Sequence, residues 1–343
     1  MSRAQRRQFL SAASALLAAA VSPQTVRAQP LSPHGPYRIA LVPDFRPAGA
    51  KTILKILTDA LRQWGRIEGR DYVYYRSGVY YGQDTKLALD RALAAKPDLI
   101  ITSNLGTAVG AHKRTKTVPI VMWISGFPVQ GGVAESLARP GMNVTGMTIY
   151  AGGEFFGKLL QLLLEAKPGV KRVGFFMSYM PPFHPRTETD LIIKGIREAA
   201  GPLGVDLRIF EIAKSEQVKE ALASAAAQDV EALVLTSDPS MWAHRQEVGR
   251  FAVARRLPAI ADVNWNWNDV DPLPLLSYFA PLDGLMRQVA PYVERILWEG
   301  AKPGDLPIQL PARFKLVVNA KTAKAIGLTV PQTLLLRADQ VIE

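Results

Sequence analysis

Cysteine is missing from all 343 residues. Its absence excludes disulfides, thiolate metal sites, a cysteine nucleophile and a lipidated cysteine anchor. Histidine is scarce, and His34, His112, His184 and His244 never fall in the His-Glu-x-x-His spacing of a zinc-binding helix. There is no Gly-x-Ser-x-Gly elbow, no Gly-x-x-x-x-Gly-Lys-Ser/Thr phosphate loop and no Gly-x-Gly-x-x-Gly turn. No motif points to catalysis or calls for a cofactor or metal, although a catalytic site assembled from distant residues stays open. Lysine and arginine are scattered, with no run of five and no basic-aromatic block, which argues against a nucleic-acid partner. No stretch reaches the roughly 20 apolar residues of a membrane-spanning helix.

What is present suits a globular protein of two domains. Hydrophobic residues make up 48% and charged residues 21%, a balance that builds cores, and the length exceeds what one compact core accommodates. The formal net charge is +11. Arg3, Arg6, Arg7 and Arg27 contribute four of these charges, and no acid precedes residue 30, so the remainder carries +7. Dispersed charge of this kind reads as a solvated surface; a modest pull on anionic ligands or lipid headgroups stays open.

The first 28 residues read as an export signal. Arg6-Arg7-Gln8-Phe9-Leu10 is followed by apolar and small residues from Ala12 to Val21, and Val26-Arg27-Ala28 offers a cleavage site after Ala28. The arginine pair resembles a twin-arginine (Tat) leader, which exports folded protein. Gln5 and Ser11 stand where the fuller motif prefers Ser/Thr and Lys, so an ordinary leader with a basic start is the alternative. The expected location is the periplasm.

From Tyr37 the sequence alternates short apolar runs with amphipathic ones. Strands are predicted at 38–42, 72–76, 98–102 and 119–123. Between the first two, Ile53, Ile56, Leu57, Ala60, Leu61 and Trp64 recur every three or four residues, predicting one buried helical stripe that stops at Gly65. Runs 99–101 and 120–122 are continuously apolar, as in parallel strands buried on both faces. The pattern restarts with a helix from Phe155 to about Lys167. Strands at 172–177, 205–210, 232–236 and 258–261 follow, with helices near 187–200, 215–228 and 240–256. The fold class is therefore α/β, with two doubly wound, Rossmann-like lobes. The turn-rich segment 139–152 lies between them. A strand end and helix at 278–298, a strand at 314–318 and a helix at 320–326 form a tail that suggests the chain revisits both lobes.

Several blocks carry a family likeness. Ser136-Leu137-Ala138-Arg139-Pro140-Gly141-Met142-Asn143-Val144-Thr145-Gly146 resembles a block of the ABC-transporter substrate-binding family whose better-known members take up tryptophan or tyrosine. Tyr292-Val293-Glu294-Arg295-Ile296-Leu297, Gly300-Ala301-Lys302-Pro303-Gly304-Asp305-Leu306-Pro307, Val318-Asn319 and Ile326-Gly327-Leu328-Thr329-Val330-Pro331 extend it. The likeness covers nearly everything after residue 37. It implies a type I periplasmic-binding-protein fold, with ligand held between lobes joined by three crossovers near 146–152, 262–278 and 300–312. Lobe 1 would comprise 37–148 plus 279–302, and lobe 2 would comprise 149–265 plus 308–343. The sequence departs at Phe127-Pro128-Val129, where members often carry Asp-Pro-Val. It departs again at Pro272-Leu273-Pro274-Leu275-Leu276-Ser277-Tyr278-Phe279, where they carry Gly-Gly-Leu before Ser-Tyr-Gly. Losing that acid removes a partner for a ligand ammonium and points away from an ordinary aromatic amino acid.

In open α/β sheets ligands sit beyond the carboxyl ends of strands, near helix N-termini that favour carboxylates. In lobe 1 this selects Ser103, Asn104, Gly106 and Thr107, for which plain helix capping is the competing role. Asp44, Phe45 and Arg46 follow the first strand, and Arg46 either grips a carboxylate or faces solvent. Trp123, Ser125 and Phe127 follow the fourth strand, with Trp123 equally suited to the core, and Tyr150 lies on the first crossover. In lobe 2 the candidates are Ser178, Tyr179, Ser237, Asp238, Asp262, Trp265 and Tyr278. Asp238 before Pro239 also reads as a helix cap. Asn264 and Trp267 complete a polar-aromatic cluster around Trp265.

The expected function is solute binding by hinge closure for an ABC importer, with the permease and ATPase as partners. The ligand would be small and organic: amino-acid-like, aromatic or carboxylate-bearing. A monomer is expected. A periplasmic sensor that hands its ligand to a signalling receptor, and an enzyme, are the alternatives.

Overall fold

The computed structural model describes residues 35–42, 47–80, 83–150, 153–179, 186–236, 238, 241, 243–263 and 274–343. The expected leader, residues 1–28, lies outside them. Among the described residues no helix is long and apolar enough to cross a membrane.

The first sheet is built from β1 (Tyr37–Val42), β2 (Tyr72–Arg76), β3 (Leu99–Thr102), β4 (Ile120–Met122) and β5 (Val144–Gly146). Its order is β2-β1-β3-β4-β5, and every pair is parallel. Helices α1 (Pro47–Arg62), α2 (Thr85–Ala94) and α3 (Leu105–Arg114) connect the strands. The apolar runs are continuous because alternate residues feed two cores. Ile39, Leu41, Leu99, Ile101 and Val121 join a cluster with α1, whereas Ala40, Val42, Ile100, Ile120 and Met122 join one with α2 and α3.

The second half repeats the plan with α4 (Glu154–Ala166), β6 (Arg172–Ser178), α5 (Arg186–Ala200), β7 (Asp206–Ile212), α6 (Val218–Ala227), β8 (Ala232–Leu235), α7 (Arg245–Ala254), β9 (Ala259–Ala261) and β10 (Leu276–Phe279). The tail adds α8 (Leu282–Leu297), β11 (Lys315–Asn319), α9 (Ala320–Ala325), α10 (Gln332–Arg337) and β12 (Gln340–Ile342). The second sheet runs β12-β11-β10-β9-β8-β6-β7, antiparallel only between β10 and β11. Val173, Phe175, Val234 and Ile260 face a core with α4 and α5. Phe176, Leu233, Leu235 and Ala259 face another with α6 and α7.

The chain changes lobe three times. It leaves the first sheet after Gly146 and reaches α4 of the second lobe at Glu154. Strand β10 pairs with β9, yet α8 packs in the first lobe with α1. This passage therefore falls between Phe279 and Leu282, just beyond the expected 262–278. The last passage leads from α8 to β11. On the way, Ile308 is buried in the first lobe, and Gln309 N–H donates to Gly146 O at 2.9 Å. The first and third passages thus run side by side.

One expectation fails in α1. Ile53, Leu57, Ala60 and Leu61 are buried, but Trp64 is 43% exposed. The helix stops at Arg62, and Gly65 turns the chain at φ +74°. Trp64 therefore stands in the turn, off the helical face.

Asn143-Val144-Thr145-Gly146 has a structural explanation. Asn143 Nδ2 donates to Thr115 O (3.0 Å) and Val118 O (2.7 Å), closing the loop before β4. Val144 is core, and the Thr145 hydroxyl donates to Leu306 O at 2.6 Å. Gly146 adopts φ +118°, and a Cβ there would lie 2.2 Å from Met122 O. Backbone at that distance cannot yield as a side chain can. Gly146→Ala is expected to cost about 3 kcal/mol or more from strain and overpacking. Urea unfolding measures it; a loss below about 1 kcal/mol would contradict the close approach.

Candidate functional site

Parallel strands place all their carboxyl ends on one edge of a sheet. Residues just past β3 and β4 of the first lobe meet residues just past β6, β8 and β9 of the second around one cavity. It encloses about 590 Å³ of space not filled by protein atoms, its mouth included. Ser103, Asn104, Ile124 and Ser125 line it from the first lobe, and Ile149 and Tyr150 from the first passage. Phe156, Met177, Ser178, Glu188, Ile192, Thr236, Asp238 and Asp262 line it from the second.

The first-lobe wall is a set of polar groups without partners. Asn104 caps α3: its Oδ1 accepts from Thr107 N–H at 2.8 Å and from the Thr107 hydroxyl at 3.0 Å. That leaves Nδ2 as a donor. Asn104 Nδ2, Ser103 Oγ and Ser125 Oγ are buried and have no hydrogen-bond partner among the described residues. Leaving such a group unmade costs about 1–3 kcal/mol. Ser103 and Asn104 stand at the N-terminus of α3, where the backbone dipole favours negative charge, and with Ser125 beyond β4 they form a place for a carboxylate or another strong acceptor.

The second-lobe wall is held by Asp238. One carboxylate oxygen accepts from Ser178 N–H (3.0 Å) and the Thr236 hydroxyl (2.7 Å). The other accepts from Met241 N–H (2.9 Å) and from the Ser178 hydroxyl. Asp238 therefore caps the chain after β8, as its place before Pro239 suggested. It also ties the end of β6 to the end of β8. Glu188, in the first turn of α5, is buried to 3% exposure, and Asp262 follows β9. Phe156, Met177 and Ile192 make the rest of this wall apolar.

Of the candidates, Ser103, Asn104, Ser125, Tyr150, Ser178, Asp238 and Asp262 line the cavity. Gly106, Thr107, Trp123, Phe127, Tyr179 and Tyr278 do not. Thr107 is buried and serves the Asn104 cap, while Gly106 sits within α3. Trp123 belongs to the first-lobe core. Phe127 turns at φ +50° and packs its ring 5.2 Å from Tyr150. Tyr179 donates its N–H to Ile212 O at 2.9 Å and lies under the Arg186 guanidinium. Tyr278 stacks on Phe314 at 5.2 Å, and burial raises the pKa of its hydroxyl. Asp44, Phe45, Arg46, Ser237 and Trp265 lie outside the described residues. Sequence reasoning missed Ile124, Ile149, Phe156, Met177, Glu188, Ile192 and Thr236. Phe156 and Ile192 read as ordinary core stripes. Glu188 reads as an acid suited to a helix start.

The chain matches the model of the ABC transporter substrate binding protein family over residues 48–342. It is 22% identical over 244 residues to the tyrosine-binding protein of Clostridioides difficile (strain R20291), covering 71% of this chain and 67% of that one. A conserved domain protein of Vibrio cholerae is similar in structure, with TM-score 0.75 and 22% identity over 89% of this chain and 99% of that one. An ABC domain from Streptococcus pneumonia in complex with L-Trp has TM-score 0.74 and 20% identity over 90% and 100%. These structural likenesses establish the fold, a type I periplasmic-binding-protein architecture.

Two opposite stability effects follow. Asp238→Ala strands several buried donors and is expected to cost about 2–4 kcal/mol. Ser125→Ala removes a hydroxyl that gains nothing in the empty protein, so its loss is expected to be neutral or to stabilise by up to about 1 kcal/mol. Chemical denaturation of ligand-free protein measures both, and a Ser125→Ala loss above about 1 kcal/mol would contradict the assignment.

Proposed function

The chain belongs to the ABC transporter substrate-binding protein family, and on that premise we propose that it is the capture component of an importer. It takes a small, carboxylate-bearing organic molecule between its lobes and delivers it to a membrane permease driven by an ATPase. Residues 1–28 export it, and it works in the periplasm. The observation that carries this reading is the trio Ser103 Oγ, Asn104 Nδ2 and Ser125 Oγ, buried without partners on the first-lobe wall of the cavity. A ligand carboxylate would satisfy all three. Ile124, Ile149, Tyr150 and Phe156 would bury its apolar part.

No chemistry is required. Ligand touches both walls only when the lobes are closed, so binding shifts the population toward that form. The permease would then read the closed shape. An amino-acid-like ligand agrees with the tyrosine and L-Trp named for two similar proteins.

Native mass spectrometry of protein recovered from the periplasm is expected to reveal a bound small molecule. Titration of ligand-stripped protein with amino acids is expected to lower its radius of gyration in solution scattering. Ser103→Ala combined with Ser125→Ala is expected to weaken binding by about 10- to 100-fold, the loss of one or two hydrogen bonds to a charged group. Protein that carries no small molecule and responds to none would overturn the proposal.

A further inference from the structure

We propose that Phe127 is a positioning residue for capture: a first-lobe ring seated in the core of the second lobe, holding the two lobes toward the closed form. This rests on the solute-binding reading above and adds to it a side chain that sets how readily the lobes close.

Phe127 lies between β4 and β5, both strands of the first sheet. On either side of it the segment is anchored in the first lobe. Trp123 is buried in the core with α1, and Val133 and Ala134 are buried in the core with α2 and α3. Phe127 turns the other way. It is 2% exposed and belongs to the second-lobe core, with Phe156, Leu160 and Phe175. Among the described residues no other buried hydrophobic side chain of the first lobe joins that core. An unpaired acid would be costly in this apolar site, so the departure from the family pattern at position 127 is a departure in packing.

The backbone is bent to send the ring there. Phe127 adopts φ +50°, a left-handed conformation that is strained for a bulky side chain. Pro128 follows it, and a residue before proline favours extended backbone instead. Two hydrogen bonds hold the turn: Phe127 N–H donates to Tyr150 O at 3.1 Å, and Gly131 N–H donates to Phe127 O at 2.8 Å. The ring packs 5.2 Å from that of Tyr150. Gly126 permits the approach, since a Cβ there would lie 2.3 Å from Cε2 of Tyr150. Strain persists where the surroundings over-determine it, and it gathers at clamps and switches.

The same turn adjoins the cavity. Ser125, two residues earlier, and Tyr150, against the ring, both line it. Parting the lobes would draw an apolar ring out of the second-lobe core toward water. A ligand that needs both walls therefore meets a protein already biased toward closure, and less of its binding energy goes into closing the lobes.

The chain has no cysteine, so Lys86→Cys on α2 and Lys219→Cys on α6, both exposed, place one spin label on each lobe. Pulsed electron resonance then measures the distance between them in ligand-stripped protein. Phe127→Ala is expected to lengthen and broaden the distance distribution, and Phe127→Leu, the milder variant should the first not fold, to do so in part. Phe175→Leu, the same deletion made wholly within the second-lobe core, is expected to lower the urea midpoint and leave the distances unchanged. For the solute found bound to the unmodified protein, the folded Phe127 variant is expected to bind about 3- to 30-fold more weakly. Distances that stay unchanged, as they would if the turn travelled with the second lobe, overturn the proposal. So does an equal change in Phe175→Leu, or unaltered affinity. The distances are read without ligand, so a protein that captures no solute ends the capture reading while the distances still decide whether Phe127 holds the lobes.

Discussion

Six aromatic rings pack on one another where the chain changes lobe. Tyr150 on the first passage contacts Phe127, Phe155 and Phe156, at ring separations of 5.2, 5.7 and 5.3 Å. Phe155 touches Tyr278 and Phe314, which stack on each other at 5.2 Å. Tyr278 lies near the end of β10, before the second passage, and Phe314 ends the third. Each such pair contributes about 0.5–1.5 kcal/mol beyond its buried area. The cluster fastens the three passages to one another. With the passages so fastened, the carboxyl edges of both sheets are held across a common gap. Everything attributed to the cavity depends on this.

The two walls differ in how their polar groups are satisfied. The second-lobe wall is internally complete around Asp238, which receives hydrogen bonds from both β6 and the chain beyond β8. The first-lobe wall forgoes hydrogen bonds at Ser103, Asn104 and Ser125. A marginally stable protein tolerates such losses where something else compensates them. The proposed capture of a ligand gives that compensation, and it explains why small polar residues occupy positions that alanine would fill at less cost.

Much of the fold was legible in the sequence. Continuous apolar runs such as Leu99–Ile101 and Ile120–Met122 announced parallel strands, because each sheet has a core on both faces. Less legible were β5, α10 and β12. Val144–Gly146 spans three residues and ends in glycine, so it reads as a turn until its register against β4 is seen. The C-terminal pieces are short and mostly exposed, and no periodicity develops over six residues. Trp64 misled because the helix stops at Arg62, two residues short of where the spacing would carry it.

The cavity lining was legible where it depends on strand ends, as at Ser103, Asn104, Ser178 and Asp238. It was hidden where helices supply the wall. Phe156 and Ile192 obey the same spacing as core residues, and only the placement of α4 and α5 beside the gap separates the two roles. The candidate aromatics Trp123, Phe127 and Tyr278 pack on protein. The most direct measurement is a crystal structure of the protein with the solute it carries. The account predicts acceptor atoms of that solute within about 3 Å of Ser103 Oγ, Asn104 Nδ2 and Ser125 Oγ, with its far end on the second-lobe wall. A solute seated wholly on one lobe, leaving those three groups still without partners, would contradict it.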